Sequence, residues 1–166
     1  GYGIAEAGVI AGLIASLPAS LSVIGSGWLA DRIGRTDGRA YGFIPGVSLL
    51  IAAPIYMLAV TRDTAGASIA LLVVAALVQY AYLGPTSGVF QNMMHPRMRA
   101  SATAVTSLVY SLIGGAMGPL VVGGLSDRLS GGLPAAMAIV AAGYLWAALH
   151  YLLAVAPLRR ELTLPV

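Results

Sequence analysis

Five long runs without a single Asp, Glu, Lys or Arg dominate this chain: residues 8–29, 40–60, 67–88, 100–125 and 133–156. The first alone has 22 residues, roughly 33 Å of helix at 1.5 Å per residue and enough to cross the hydrocarbon of a bilayer. In hydrocarbon every backbone N–H and C=O must find its partner within the protein, and an uninterrupted apolar run of this length does so as a helix. The expected fold is therefore an all-α integral membrane protein with five transmembrane helices, residues 1–166 forming a single transmembrane domain. Connections of roughly five to ten residues make consecutive helices antiparallel neighbours.

Composition excludes the soluble alternative. With 58% hydrophobic and 9% charged residues and a mean hydropathy of +0.87, too little polar surface exists to coat a soluble domain. Tryptophan and tyrosine together number ten against two phenylalanines, and most lie near run ends, where amphipathic rings sit at the headgroup level. The net charge of +3 comes from arginines in short loops and the tail, so it marks orientation and not a nucleic-acid partner. One side of the five-helix arrangement receives Arg32, Arg35, Arg39, Arg97, Arg99, Arg159 and Arg160, and the other receives only Arg62 and Arg128. By the positive-inside rule, loops 30–39 and 95–99 and the C-terminal tail face the cytoplasm. There is no cysteine, hence no disulfide, thiolate metal site or cysteine nucleophile. The chain begins with Gly1 and lacks a basic segment before its first run, so that run is not a cleavable signal, and a fragment is expected.

Prolines and glycines punctuate the runs. Pro18 is expected to kink the first, with Ser16, Ser20 and Ser22 available for the freed carbonyls. Pro45 and Pro54 should bend the second. Gly84, Pro85 and Gly88 predict a break in the third, and Pro119 a bend in the fourth. Gly8 and Gly12, and again Gly114 and Gly118, form small-residue strips suited to close helix approach. Pro157 closes the fifth run.

The most distinctive loop joins the first two runs and reads GWLADRIGRTDGR from Gly27 to Arg39. Gly27 is expected to end a helix, and Gly34 to supply the left-handed backbone of a sharp reversal. The pattern Gly27-x-x-x-Asp31-Arg32-x-Gly34-Arg35 closely resembles the cytoplasmic loop motif of the major facilitator superfamily of secondary transporters. Residues 97–127, with an Arg-Ala start, a Gly-x-x-x-Gly-Pro centre at Gly114, Gly118 and Pro119, and a Gly-x-x-Ser-Asp end, look like the tenth-to-eleventh helix region of its spinster-like and anion/organic-solute branches. Aligned so, the five spans correspond to helices eight to twelve, a partial six-helix C-terminal half. The resemblance implies transport of a small organic solute by alternating access between two halves, with the N-terminal half, the lipid bilayer and the solute as partners and a bacterial inner (plasma) membrane as location. Under the bland alternative the motif is a helix-ending glycine and a solvated basic loop that only fixes orientation.

Candidate cavity contacts are polar groups inside apolar runs. Gln79 and Tyr82 lie on a polar-tinted stripe with Ser68 and Thr86, and Gln79 either faces a wet cavity or bonds a neighbouring helix. Ser107 and Tyr110 on the fourth run are second-rank candidates. Gln91 and Asn92 are assigned to the helix break, and His150 to a buried hydrogen bond or the interface. No carboxylate lies inside a run, where proton-coupling groups usually sit. No phosphate-binding loop, metal-ligand cluster or Ser-His-Asp spacing is present in the sequence, so no enzyme, cofactor or metal is expected. The reading from another class is a non-transporting membrane scaffold or assembly subunit.

Overall fold

A computed structural model describes residues 3–162, and all regular elements in it are helical. Eight α-helices form: α1 (Ile4–Gly34), α2 (Ala40–Val60), α3 (Ala65–Gln79), α4 (Leu83–Met93), α5 (Arg99–Val109), α6 (Gly118–Ser126), α7 (Gly132–Ala141) and α8 (Gly143–Leu162). They compose five segments long and apolar enough to cross a membrane: Ala5–Gly34, Ala40–Val60, Ala65–Met93, Pro96–Ser126 and Gly132–Leu158. The protein is an all-α membrane chain.

The second span is the hub. It packs on α8, α3, α7, α4 and α1, and its small residues Ala52, Ala53 and Ala59 are fully buried. Gly42 and Gly46 make the closest approach to α8. A Cβ on Gly46 would lie 2.7 Å from the Leu152 side chain, and one on Gly42 would lie 3.0 Å from the Tyr151 carbonyl oxygen. Pro45, between them, is also fully buried, which a helix tolerates where its neighbours fill the gap left by the missing N–H.

In two spans the helical winding changes just ahead of a proline, and the fifth is interrupted at Ala142 without one. In the third, a 3₁₀ turn at Tyr80–Tyr82 separates α3 from α4. The irregularity thus precedes Gly84, Pro85 and Gly88, where sequence placed it. The cause is the proline ring, which cannot bond the carbonyl four residues earlier and collides with it. For Pro85 that carbonyl belongs to Ala81, inside the 3₁₀ turn. In the fourth span a π-helical stretch, Tyr110–Met117, precedes Pro119, whose corresponding carbonyl is that of Gly115. By contrast α1 stays helical through Pro18. The expected rescue by serines is different in detail: Ser16 donates to the Leu13 carbonyl at 3.3 Å and Ser26 to that of Val23 at 3.1 Å, while the buried Ser22 hydroxyl has no partner.

At the other end of the chain Pro157 does not close the helix, since α8 continues to Leu162. The side chains of Arg159, Arg160 and Glu161 lie outside the described residues. The fourth span is the least embedded: α6 lies along α7, and none of α5, the π stretch or α6 contains a buried residue.

Candidate functional site

The loop between α1 and α2 is built from helix, not coil. With 31 residues, α1 reaches roughly 46 Å, well beyond the ~30 Å of hydrocarbon, and its last turn carries Asp31 and Arg32, with Arg35 at its C-cap. Gly27 therefore does not end a helix. Gly84 of α4 faces it, and a Cβ on Gly84 would meet the Val23 carbonyl oxygen at 2.6 Å and the Gly27 nitrogen at 2.8 Å. Two glycines let the first and third spans touch backbone to backbone.

Gly34 likewise differs from expectation. It lies within α1, and the left-handed glycine among the described residues is Gly132, φ 58°, the first residue of α7. The reversal at 35–39 instead uses ordinary backbone: the amides of Thr36 and Asp37 donate to the Ile33 carbonyl at 3.0 and 2.9 Å, joined by the Thr36 hydroxyl at 2.9 Å. The Asp37 carboxylate accepts the Arg39 amide at 3.0 Å, an aspartate turn that starts α2. What requires glycine at position 34 is Tyr41, whose ring occupies the space of a Cβ.

The same tyrosine meets Asp31. Its hydroxyl donates to Asp31 Oδ1 at 2.9 Å, a charge-assisted bond. Arg32 turns back on its own helix, its guanidinium carbon 5.3 Å from the centre of the Trp28 ring, a cation–π pair at helical spacing. Arg35 is exposed. Sequence reasoning missed Tyr41 altogether, because an aromatic at the start of an apolar run signals only an interface.

A second feature is a cleft of about 110 Å³ between α4 and α5, lined by Leu83, Thr86, Ser87, Phe90, Gln91, Thr103, Thr106, Ser107 and Tyr110. Two sequence candidates, Ser107 and Tyr110, lie here together. Gln91, assigned from sequence to a helix break, is also in the lining. The lining has no ionisable acid or base apart from a phenol. Three hydroxyl protons are committed to the helix backbone: Thr103 donates to Arg99 at 2.8 Å, Thr106 to Ala102 at 2.9 Å, and Thr86 to Tyr82 at 2.5 Å. Their oxygens retain lone pairs, so the wall offers acceptors at Thr103 and Thr106, neutral and partly apolar.

Tyr82 adjoins this cleft without lining it. It sits in the 3₁₀ turn with its ring 6.4 Å from that of Tyr151, and Tyr151 and Thr86 share a hydrogen bond of 2.8 Å, tying the third span to the fifth. Gln79 is the half-buried last residue of α3 and does not reach the cleft. Gly114, Gly118 and Pro119 line a separate groove of about 470 Å³ toward α7 and the edge-packed pair Tyr56–Tyr144, and a Cβ on either glycine would meet nothing within 4 Å. His150 is exposed rather than buried, donating from Nδ1 to the Trp146 carbonyl at 2.8 Å. Among the described residues no three His, Cys, Asp or Glu side chains converge to hold a metal.

No protein-family model matches the chain, and no solved structure matches it. It is, however, 32% identical over 168 aligned positions to a protein of Mycolicibacterium smegmatis named an MFS-type efflux pump. This likeness supports the major facilitator superfamily. The alignment takes in 98% of the chain, so it runs through the loop motif, the cleft and all five spans. The chain spans 39% of the length of that relative.

Proposed function

We propose that this chain is part of the C-terminal half of a major facilitator transporter, corresponding to helices eight to twelve of its spinster-like or organic-solute branches. On this reading a small organic solute crosses by alternating access, one half rocking against the other around a site near the bilayer midplane. The observation that carries it is the 32% identity along 98% of the chain with an efflux pump of that superfamily. The cleft between α4 and α5 adds a physical reason: a neutral wall with free hydroxyl acceptors lowers the cost of desolvating a polar, uncharged solute and offers nothing to neutralise an ion. Ser107 and Tyr110 are its proposed contacts, with Tyr82 and Gln79 beside the path and Asp31, Arg32 and Arg35 acting in the loop as conformational groups. Gly114, Gly118 and Pro119 are assigned to packing against helices of the other half. The protein resides in a bacterial inner membrane with loops 30–39 and 95–99 inside.

The test is sidedness with flux. In the full-length protein, single cysteines at Thr36 and Met98 are expected to react only from the cytoplasm and ones at Thr64 and Ser130 only from outside. Reconstituted vesicles are expected to move a neutral solute down or against its gradient. Labelling of Thr36 and Thr64 from one side, or correct sidedness without any flux, favours the scaffold reading.

A further inference from the structure

Resting on that transport reading, we propose that Tyr41 is a positioning residue that couples the loop motif to the span lining the cleft. Two neighbouring helices, α1 and α4, meet at its side chain. The hydroxyl holds Asp31 near the end of α1 at 2.9 Å. The ring covers Gly34 so closely that a Cβ there would lie 2.9 Å from Cζ and 3.0 Å from the hydroxyl oxygen. Its opposite edge faces α4, with Cε1 3.8 Å from where a Cβ of Gly88 would stand. Gly88 is adjacent to Ser87 and two residues from Phe90, both in the cleft wall.

The chemistry of Asp31 gives this arrangement a purpose. A carboxylate at the C-terminal end of a helix sits in the negative end of the helix dipole, so it needs a donor to hold it in place. Tyr41 supplies one on Oδ1, and Asp31 remains exposed, its other lone pairs open to a second partner. The bond to Asp31 on one side of Tyr41 and the approach to Gly88 on the other are the physical basis of the proposed coupling between the loop and α4. Glycine at position 34 then has a specific reason. Its backbone is helical, so conformational freedom is not the requirement; an added methyl would push the ring aside and break the bond to Asp31.

The experiment uses the full-length protein in lipid vesicles, with a reporter cysteine at the exposed Thr64 and an impermeant maleimide as probe. Tyr41→Phe keeps the ring over Gly34 and removes only the donor. It is expected to express normally and to change the labelling rate about five-fold, in the same direction as Asp31→Asn, with the double variant no different from the larger single one. Gly34→Ala is expected to shift labelling the same way, and to have no further effect when combined with Tyr41→Ala, which vacates the space. That pair decides the matter should Tyr41→Phe express poorly. A wild-type labelling rate in Tyr41→Phe beside a shifted Asp31→Asn, or additive effects in the double variant, overturns the coupling role while leaving transport intact. Loss of solute flux in the wild type, with no labelling change in either variant, sinks the transport reading itself and the coupling with it.

Discussion

Two of the chain's Gly-x-x-x-Gly strips look alike and sit in opposite surroundings. Gly42 and Gly46 on α2 lie against α8 with no room for a methyl group, whereas Gly114 and Gly118 on the fourth span face open space. Sequence drew attention to the second pair and passed over the first. Small residues permit close approach but do not create it, since in lipid the attraction comes from the packing that the partner supplies. The partner of Gly42 and Gly46 is within this chain. The fourth span has no buried residue in any of its pieces, and its strip opens onto the groove toward α7 with nothing within 4 Å of either glycine, the unfilled space that the proposed packing against the other half would use.

The sharpest probe of packed against open glycine is Gly84→Ala. The added methyl would meet backbone atoms of Val23 and Gly27, at 2.6 and 2.8 Å, and backbone cannot rotate away. The first and third spans must separate, so a loss of about 3 kcal/mol is expected, read as a lowered melting midpoint of the full-length protein in detergent micelles. Gly46→Ala should cost less, about 1 kcal/mol, because the Leu152 side chain in the way can change rotamer. If the two variants melt alike, rigidity of the obstacle is not what sets the cost.

At the small end, Gly114→Ala and Gly118→Ala are expected to leave the melting midpoint unchanged or raise it, since alanine is favoured over glycine in a helix by up to about 1 kcal/mol. A reduced solute flux at normal expression and melting would place the strip at a moving contact between halves. A destabilisation of the full-length protein beyond about 1 kcal/mol would instead show a permanently docked helix, and the two strips would then differ in partner and not in packing.

The candidate site was legible in part. Ser107 and Tyr110 stood out because polar groups inside apolar runs need a reason, and the structure brings both to one cleft. Thr103 and Thr106 were not singled out, since each hydroxyl satisfies itself on its own helix and so carries little signal in sequence. Tyr41 was invisible for another reason: its partners Asp31 and Gly34 lie across a reversal, and their pairing depends on the phase at which α1 ends. The motif residues were recognised, yet both glycines were given the wrong task, helix end and left-handed turn, where the structure uses them for contact with Gly84 and with Tyr41.

What the sequence determined by itself was the solvent and the class. Runs of twenty-odd uncharged residues have one way to satisfy their backbone in hydrocarbon, so five apolar helices follow from length and composition. Pro85 and Pro119 mark the spans where 3₁₀ and π winding appear, a turn earlier because the collision is with the preceding carbonyl. Pro18, Pro45 and Pro54, however, lie inside uninterrupted helices, so proline alone did not decide which spans change winding. Only the tertiary structure decided which faces meet. In a chain apolar on nearly every side, hydrophobicity no longer distinguishes inside from outside, and selection passes to shape: Gly42 against Tyr151, Gly46 against Leu152, Gly84 against Gly27, and Gly34 under the ring of Tyr41.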